Sequence, residues 1–290
     1  MNSLKNATLK YSIKEFNADR LFEETFAPCY LENDRIRKII RSFKYNLNSV
    51  INVARVPFLI STETTAREMW RKVAIESGLT VDERDEIDRL FNEYFAGHID
   101  EYHRGIDNNL IKYNLYLSSG SEYLKDNLLQ CAVHIWSSFE VMIKQFTVDL
   151  LNRKPKDYLN KIRSNKYLKK RIQEPTIDLL AENSFDISKM LGDVLLGNLD
   201  FSNLSTMNAV TMSLLKVSVK SKRIYELNQN RHLVVHNSGF VDTQYMKAIK
   251  TSKKLDEKIE IESLDIDAYL VEIEKVLSKI FNSSNKDEIL

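Results

Sequence analysis

Apolar residues recur along this chain at the spacing of a helix. Leu129, Ala132, Trp136, Phe139, Ile143, Phe146 and Leu150 alternate steps of three and four, which marks a stripe packed against other helices. Ile266, Tyr269, Leu270, Ile273, Val276, Leu277, Ile280 and Phe281 repeat the pattern towards the C-terminus. Between them "DISKMLGDVLLG", "NLSTMNAVTMSLLKV" and a segment from about Ser221 to His236 read as further helices, the last stopped by Asn237-Ser238-Gly239. "VDTQYMKAIK" and a short "KIEIES" follow. In the first part of the chain "DRIRKIIRSFKYNLNSVINVAR" is amphipathic, and "ETTAREMWRKVAIESG" ends on Gly78 as a helix C-cap. Thr80 and Glu83 then have the capping-box spacing. The prediction is an all-α helical bundle over residues 118–290, with an additional helical N-terminal region, residues 1–117, and a boundary in "SSGSEYLKD" around Gly120.

Composition supports that reading. Among 290 residues there are 7 glycines and 4 prolines, few for a β-rich chain that must turn often. The formal net charge of +1 gives no whole-chain attraction to nucleic acid, so any basic surface has to be local. Cys29 and Cys131 are far apart with no C-x-x-C spacing, which fits a reducing compartment. The N-terminus lacks an apolar signal core, and no run of about 18 apolar residues occurs, so the sequence predicts a cytoplasmic protein with no membrane association. The acid-rich segment from Asp82 to Glu101 reads as a solvated helical face, with a partner-binding surface as the other reading.

One stretch is locally basic. From Arg153 to Arg171 there are nine basic residues against one acid, Asp157, with Tyr158 and Tyr167 interleaved. Phosphates attract the charges and bases stack on the rings, so Lys161, Arg163, Lys166, Lys169, Lys170 and Arg171 are candidates for RNA contact. The competing reading is an exposed, charged helix pair with its tyrosines tucked into the core.

The chemistry concentrates in "ELNQNRHLVVHNSGF", residues 226–240. With Ile224 as the origin of a helical wheel, Leu227 falls at about 300°, Val234 at about 280°, Val235 at about 20° and Arg231 at about 340°. Arg231 therefore stands in the apolar stripe, with Tyr225, His232 and His236 flanking it between roughly 80° and roughly 120°. A guanidinium keeps its charge, so a buried one must be paired or face a cavity or interface. Pairing with a carboxylate such as Glu140, which lies beside the stripe of the Trp136 helix, is one solution; a subunit interface is another; a site is the third. His236 at the helix end is favoured by the dipole as a cation. His232 and His236 at i, i+4 have the spacing of a zinc pair, but no Glu follows the first histidine and His98, His103 and His134 belong to unrelated segments, so no metal and no cofactor is predicted.

"NRHLVVHNSGFVD" resembles the signature of the HEPN superfamily, all-α domains whose shared motif is Arg, four residues, His near the end of a late core helix. "IWSSFEVMIKQF" similarly resembles their first core helix with its Phe-Glu pair. The likeness covers roughly residues 118–285 and leaves the N-terminal region unassigned. Where the commonest pattern has Asn after the arginine, this chain has His232. Where one toxin subgroup carries a modified tyrosine two residues after the histidine, it has Ser238, which argues against that form of regulation.

The resemblance implies a metal-independent endoribonuclease that uses the RNA's own 2′-hydroxyl to attack the adjacent phosphate, leaving a 2′,3′-cyclic phosphate. Arg231 and His236 would then be the catalytic pair, Arg231 clamping phosphate and His236 transferring protons, with His232, Asn237 and Glu140 supporting them. Because Arg231 and His236 lie about 140° apart on one helix, a homodimer with two such helices facing across a two-fold axis is expected. Relatives of this kind act in phage defence or toxin systems on tRNA or other RNA, sometimes with a regulatory partner protein. The alternative within the family is a non-catalytic module for dimerisation or for RNA or nucleotide binding.

Overall fold

The computed structural model describes residues 18–26, 34–52, 75–83, 85–86, 89, 120–172, 186–187, 189–249 and 251–289. They are helical, with no strand among them and one isolated antiparallel bridge, Phe240 to Lys258. In chain order the helices are α1 (Ala18–Leu21), α2 (Glu23–Phe26), α3 (34–52), α4 (Gly120–Arg153), α5 (Pro155–Arg163), α6 (Lys166–Lys169), α7 (Leu191–Leu196), α8 (Leu204–Leu215), α9 (Lys222–Asn237), α10 (Thr243–Ala248) and α11 (Ser263–Ile289). No helix among the described residues is long and apolar enough to cross a membrane.

The chain divides into two compact units: Phe16–Val50, Leu129–Ile259 and Asp265–Leu290 form one, and Met1–Glu15, Ile51–Leu128 and Glu260–Leu264 the other. In the second, Gly78 adopts φ 74° and its N–H donates to the Ile75 carbonyl, the C-cap read from the sequence. The capping box forms as well. Thr80 N–H donates to Glu83 Oε2 at 2.8 Å and Glu83 N–H donates to Thr80 Oγ1 at 3.4 Å. Most of the segment read as a helix ahead of Gly78, and most of the acid-rich segment, lie outside the described residues.

The first unit carries the core, and the two sequence stripes meet in it. Trp136, Phe139 and Phe146 of α4 and Phe281 of α11 are fully buried, with Phe146 and Phe281 in edge-to-face contact at 4.7 Å between centroids. A division after residue 117 does not describe this unit. Phe22, Phe26 and Phe43 cluster on one another, and Phe26 reaches Phe281 at 5.2 Å, so residues 18–26 and 34–50 complete the same core. Asp149 of α4, itself buried, holds α3 and α4 through Arg35 at 3.3 Å and Arg153 at 2.8 Å.

Short helices fill the interval between α4 and α11. Pro155 starts α5, where a missing N–H costs nothing. Asn203 caps α8 by accepting from the Ser205 and Thr206 N–H groups, and Asp242 caps α10 from Tyr245. Gly192 brings α7 against α4 so closely that a Cβ there would lie 2.2 Å from the Val148 carbonyl oxygen.

Candidate functional site

α9 is where the chain gathers its unpaired chemistry. Ser221, extended at φ −135°, caps its N-terminus by accepting from the Ile224 N–H. At the other end Ser238 turns left-handed at φ 52°, Gly239 follows at φ 84°, and both N–H groups return to the Leu233 carbonyl. The turn is pinned from outside: Gly239 O accepts from Ile259 N–H, and Val241 N–H donates to Glu257 O.

The buried face of α9 is Ile224, Leu227, Asn230, Leu233 and Val234. Its centre lies at about 270° on the wheel, well away from the direction of Arg231. Arg231 therefore stands at the edge of the buried face and is half-buried, while Val235, read as part of the stripe, is 49% exposed. The shift has a physical cause. Asn230 counts as polar in a sequence pattern, yet it is 5% exposed, accepting from the Tyr245 hydroxyl at 2.7 Å and donating to the Tyr269 hydroxyl at 2.9 Å. That bridge ties α9 to α10 and α11 and fixes the rotation of α9 about its own axis.

So rotated, α9 turns its polar flank into a cavity of about 850 Å³. Arg231, His232 and His236 all line it, so the angle between Arg231 and His236 around the helix does not separate them. His232 and His236 lie with ring centroids 4.5 Å apart. The Arg231 Nε is buried and has no hydrogen-bond partner among the described residues. An orphaned charged donor in a cavity wall is costly to keep unless an acceptor meets it.

Glu140 is half-buried on α4. Burial pushes its carboxyl above the ordinary range, Arg231 pulls it back and Asp200 pushes it up again. Among the described residues Arg231 and Glu140 form no ion pair, so Glu140 biases the field at the site without neutralising the guanidinium. Asn237 is exposed, and its amide donates to the Phe240 carbonyl, which gives it a part in the turn after α9.

The basic segment does not border this cavity. Tyr158 is buried, with Lys161 Nζ 4.7 Å from its ring centroid, and the Tyr167 hydroxyl meets Thr206 Oγ1 at 3.0 Å with Arg171 stacked on its ring at 3.7 Å. Arg163, Lys166, Lys169 and Lys170 are exposed on α5, α6 and the residue after it. Besides Arg231, the cations that line the cavity are Lys220 and Lys222, missed in the sequence although "KSKR" frames the N-cap Ser221. Tyr225, Asn228 and Gln229 also line it. Among the described residues no group of three or more His, Cys, Asp and Glu side chains could hold a metal ion. No protein-family model, curated protein or solved structure matches the chain.

Proposed function

We propose that the chain is a metal-independent endoribonuclease of HEPN type, with Arg231 and His236 as its catalytic residues. The observation that carries this reading is the buried, unpartnered Nε of Arg231 in the wall of a cavity that it shares with two imidazoles. Transesterification of RNA needs a fixed positive charge on the phosphoryl oxygens and groups that exchange protons near neutrality; arginine and histidine supply them. In this mechanism His236 takes the proton of the 2′-hydroxyl as its oxygen bonds to phosphorus. The bond from phosphorus to the 5′-oxygen breaks, and His232, 4.5 Å away, returns a proton to that leaving oxygen. The products are a 2′,3′-cyclic phosphate and a 5′-hydroxyl. Arg231 donates to the phosphoryl oxygens as charge grows on them.

The reading includes a homodimer about α9. Val235 on its last turns, Phe240 just after it and Met246 on α10 are 49%, 42% and 43% exposed, apolar surface that a second copy would cover. A setting in phage defence or a toxin system, with tRNA among the RNAs cut and a regulatory partner or the N-terminal residues as the trigger, accords with this chemistry.

The test is RNA cleavage in EDTA by the full chain, beside Arg231→Ala and His236→Ala. Cyclic-phosphate ends that disappear in both variants, while each stays folded, are the expected result. RNA binding without any cleavage by the wild type would leave the non-catalytic RNA- or nucleotide-binding module as the better account.

A further inference from the structure

The cavity extends well beyond the Arg-His groups, and its other end is built differently. Along α9 the residues Tyr225, Gln229, His232 and His236 fall between roughly 80° and roughly 140° on the wheel, so they form one stripe along the cavity wall. Tyr225 lies about 10 Å along the axis from His232 and about 16 Å from His236. That is too far to touch the reacting phosphate and within reach of a neighbouring nucleotide.

Tyr225 is 39% exposed, and neither its ring nor its hydroxyl has a partner among the described residues. The Gln229 amide, one turn on, likewise makes no hydrogen bond among them, although it is half-buried in the cavity wall. Lys222, one turn before Tyr225, and Lys220, two residues earlier, line the same end and form no ion pair among the described residues. An aromatic face, a free amide and two cations are what a single-stranded nucleotide engages. The ring stacks on the base, the amide reads its edge, and the lysines meet the backbone. Asn228 contributes rigidity there, its amide donating to the Ser202 carbonyl at 3.1 Å and anchoring α9 to the turn before α8.

We infer that Tyr225, Gln229 and Lys222 form a base-binding subsite for a nucleotide flanking the scissile phosphate of single-stranded RNA, with Tyr225 as the stacking platform and Gln229 as the residue that sets base preference. The inference rests on the proposed nuclease function for the word "scissile", but not for the binding itself.

The experiment separates the two. A fluorescein-labelled single-stranded oligoribonucleotide with 2′-O-methyl groups, which no 2′-hydroxyl attack can cleave, is titrated into the full chain and followed by anisotropy. Tyr225→Ala should weaken binding about tenfold, the size of one lost stacking contact, and Tyr225→Phe should keep it. Gln229→Ala should lessen discrimination among homopolymers of the four bases more than it lowers affinity for the best of them. Equal binding by wild type and Tyr225→Ala, with both equally helical by circular dichroism, overturns the subsite, as does the absence of binding by the wild type. Stacking-dependent binding by a wild type that cleaves no RNA upholds the subsite and removes the nuclease reading instead. An effect of Tyr225→Ala that a duplex of the same sequence shows equally would also overturn it, because paired bases offer no free face.

Discussion

Arg231 and Glu140 act on each other electrostatically without forming an ion pair, and the buried Nε of Arg231 donates to no acceptor among the described residues. A structural arginine in such a position would be matched with its carboxylate, and breaking the pair would cost about 3–5 kcal/mol. Here the match is not made, so Arg231→Met should change folding stability by no more than about 1 kcal/mol, because the flexible apolar chain fills the space and removes an unsatisfied donor. Urea unfolding of the two proteins measures this. A loss of several kcal/mol would show that Arg231 is part of the scaffold and would weaken its claim to the site. Stability kept while RNA cleavage is abolished is the pattern of a residue retained for chemistry.

Glu140 gives a prediction in pH. Its carboxyl is held above the ordinary value of 4.5, chiefly by burial, so the folded state binds this proton more tightly than the unfolded chain. The stability it confers is complete below the ordinary value and is lost as pH rises through the raised one. Glu140→Gln, which cannot ionise, should therefore melt progressively higher than the wild type as pH rises from 4.5 towards neutrality, and the two should converge at the acid end. Thermal melts across that range would check it. If the wild type instead gains on the variant as pH rises, the attraction to Arg231 outweighs desolvation.

The parts of the fold legible in the sequence are those whose burial follows a regular local period. The stripes of α4 and α11 are apolar at every position of the period, and the ends at Gly78 and Ser238-Gly239 are set by local hydrogen bonds. The face of α9 was displaced because its central residue, Asn230, is polar and satisfied only by tyrosines 15 and 39 residues away. The contribution of residues 18–26 and 34–50 to the core was hidden for the same reason: Phe26 and Phe281 meet across most of the chain. The site's Arg231, His232 and His236 were legible as unusual residues on one helix. Lys220 and Lys222 were not, since what makes them site residues is the cavity, and charge density alone pointed to α5 and α6.

The Asn230 bridge should matter to both stability and site geometry. Asn230→Ala strands the buried Tyr245 and Tyr269 hydroxyls and should cost about 1–3 kcal/mol, read from the urea midpoint. It should also lower RNA affinity, because the bridge helps to set the rotation that turns Tyr225, His232 and His236 into the cavity. Burial holds the Tyr245 phenol up at about 12, with the charge of Glu226 adding to it. The donor to Asn230 therefore persists through neutral pH, and its stabilising effect is lost only as pH rises from the ordinary phenol value of 10 through 12. Stability unchanged in Asn230→Ala would mean that water replaces the amide and that the bridge does not fix α9.

The packing of α7 on α4 offers the sharpest steric test. Gly192 N–H donates to Asn152 Oδ1 at 2.6 Å, while the Asn152 amide donates to Asp193 Oδ2 at 2.7 Å, so one buried side chain bonds two successive residues in the first turn of α7. A Cβ on Gly192 would meet the Val148 carbonyl oxygen at 2.2 Å and Asn152 Oδ1 at 2.9 Å. The first obstacle is hydrogen-bonded backbone towards the C-terminal end of α4, which cannot easily step aside, so α7 must retreat and the Asn152 bonds must lengthen. Gly192→Ala should destabilise the fold by about 1–3 kcal/mol or more despite the better helix propensity of alanine. Asn152→Ala should cost a similar amount by leaving the Gly192 N–H buried and unbonded, and the double variant should cost less than the sum, since both changes undo one contact. Additive losses would show that the two residues act separately and that α7 is held to α4 by something other than this hydrogen-bonded approach.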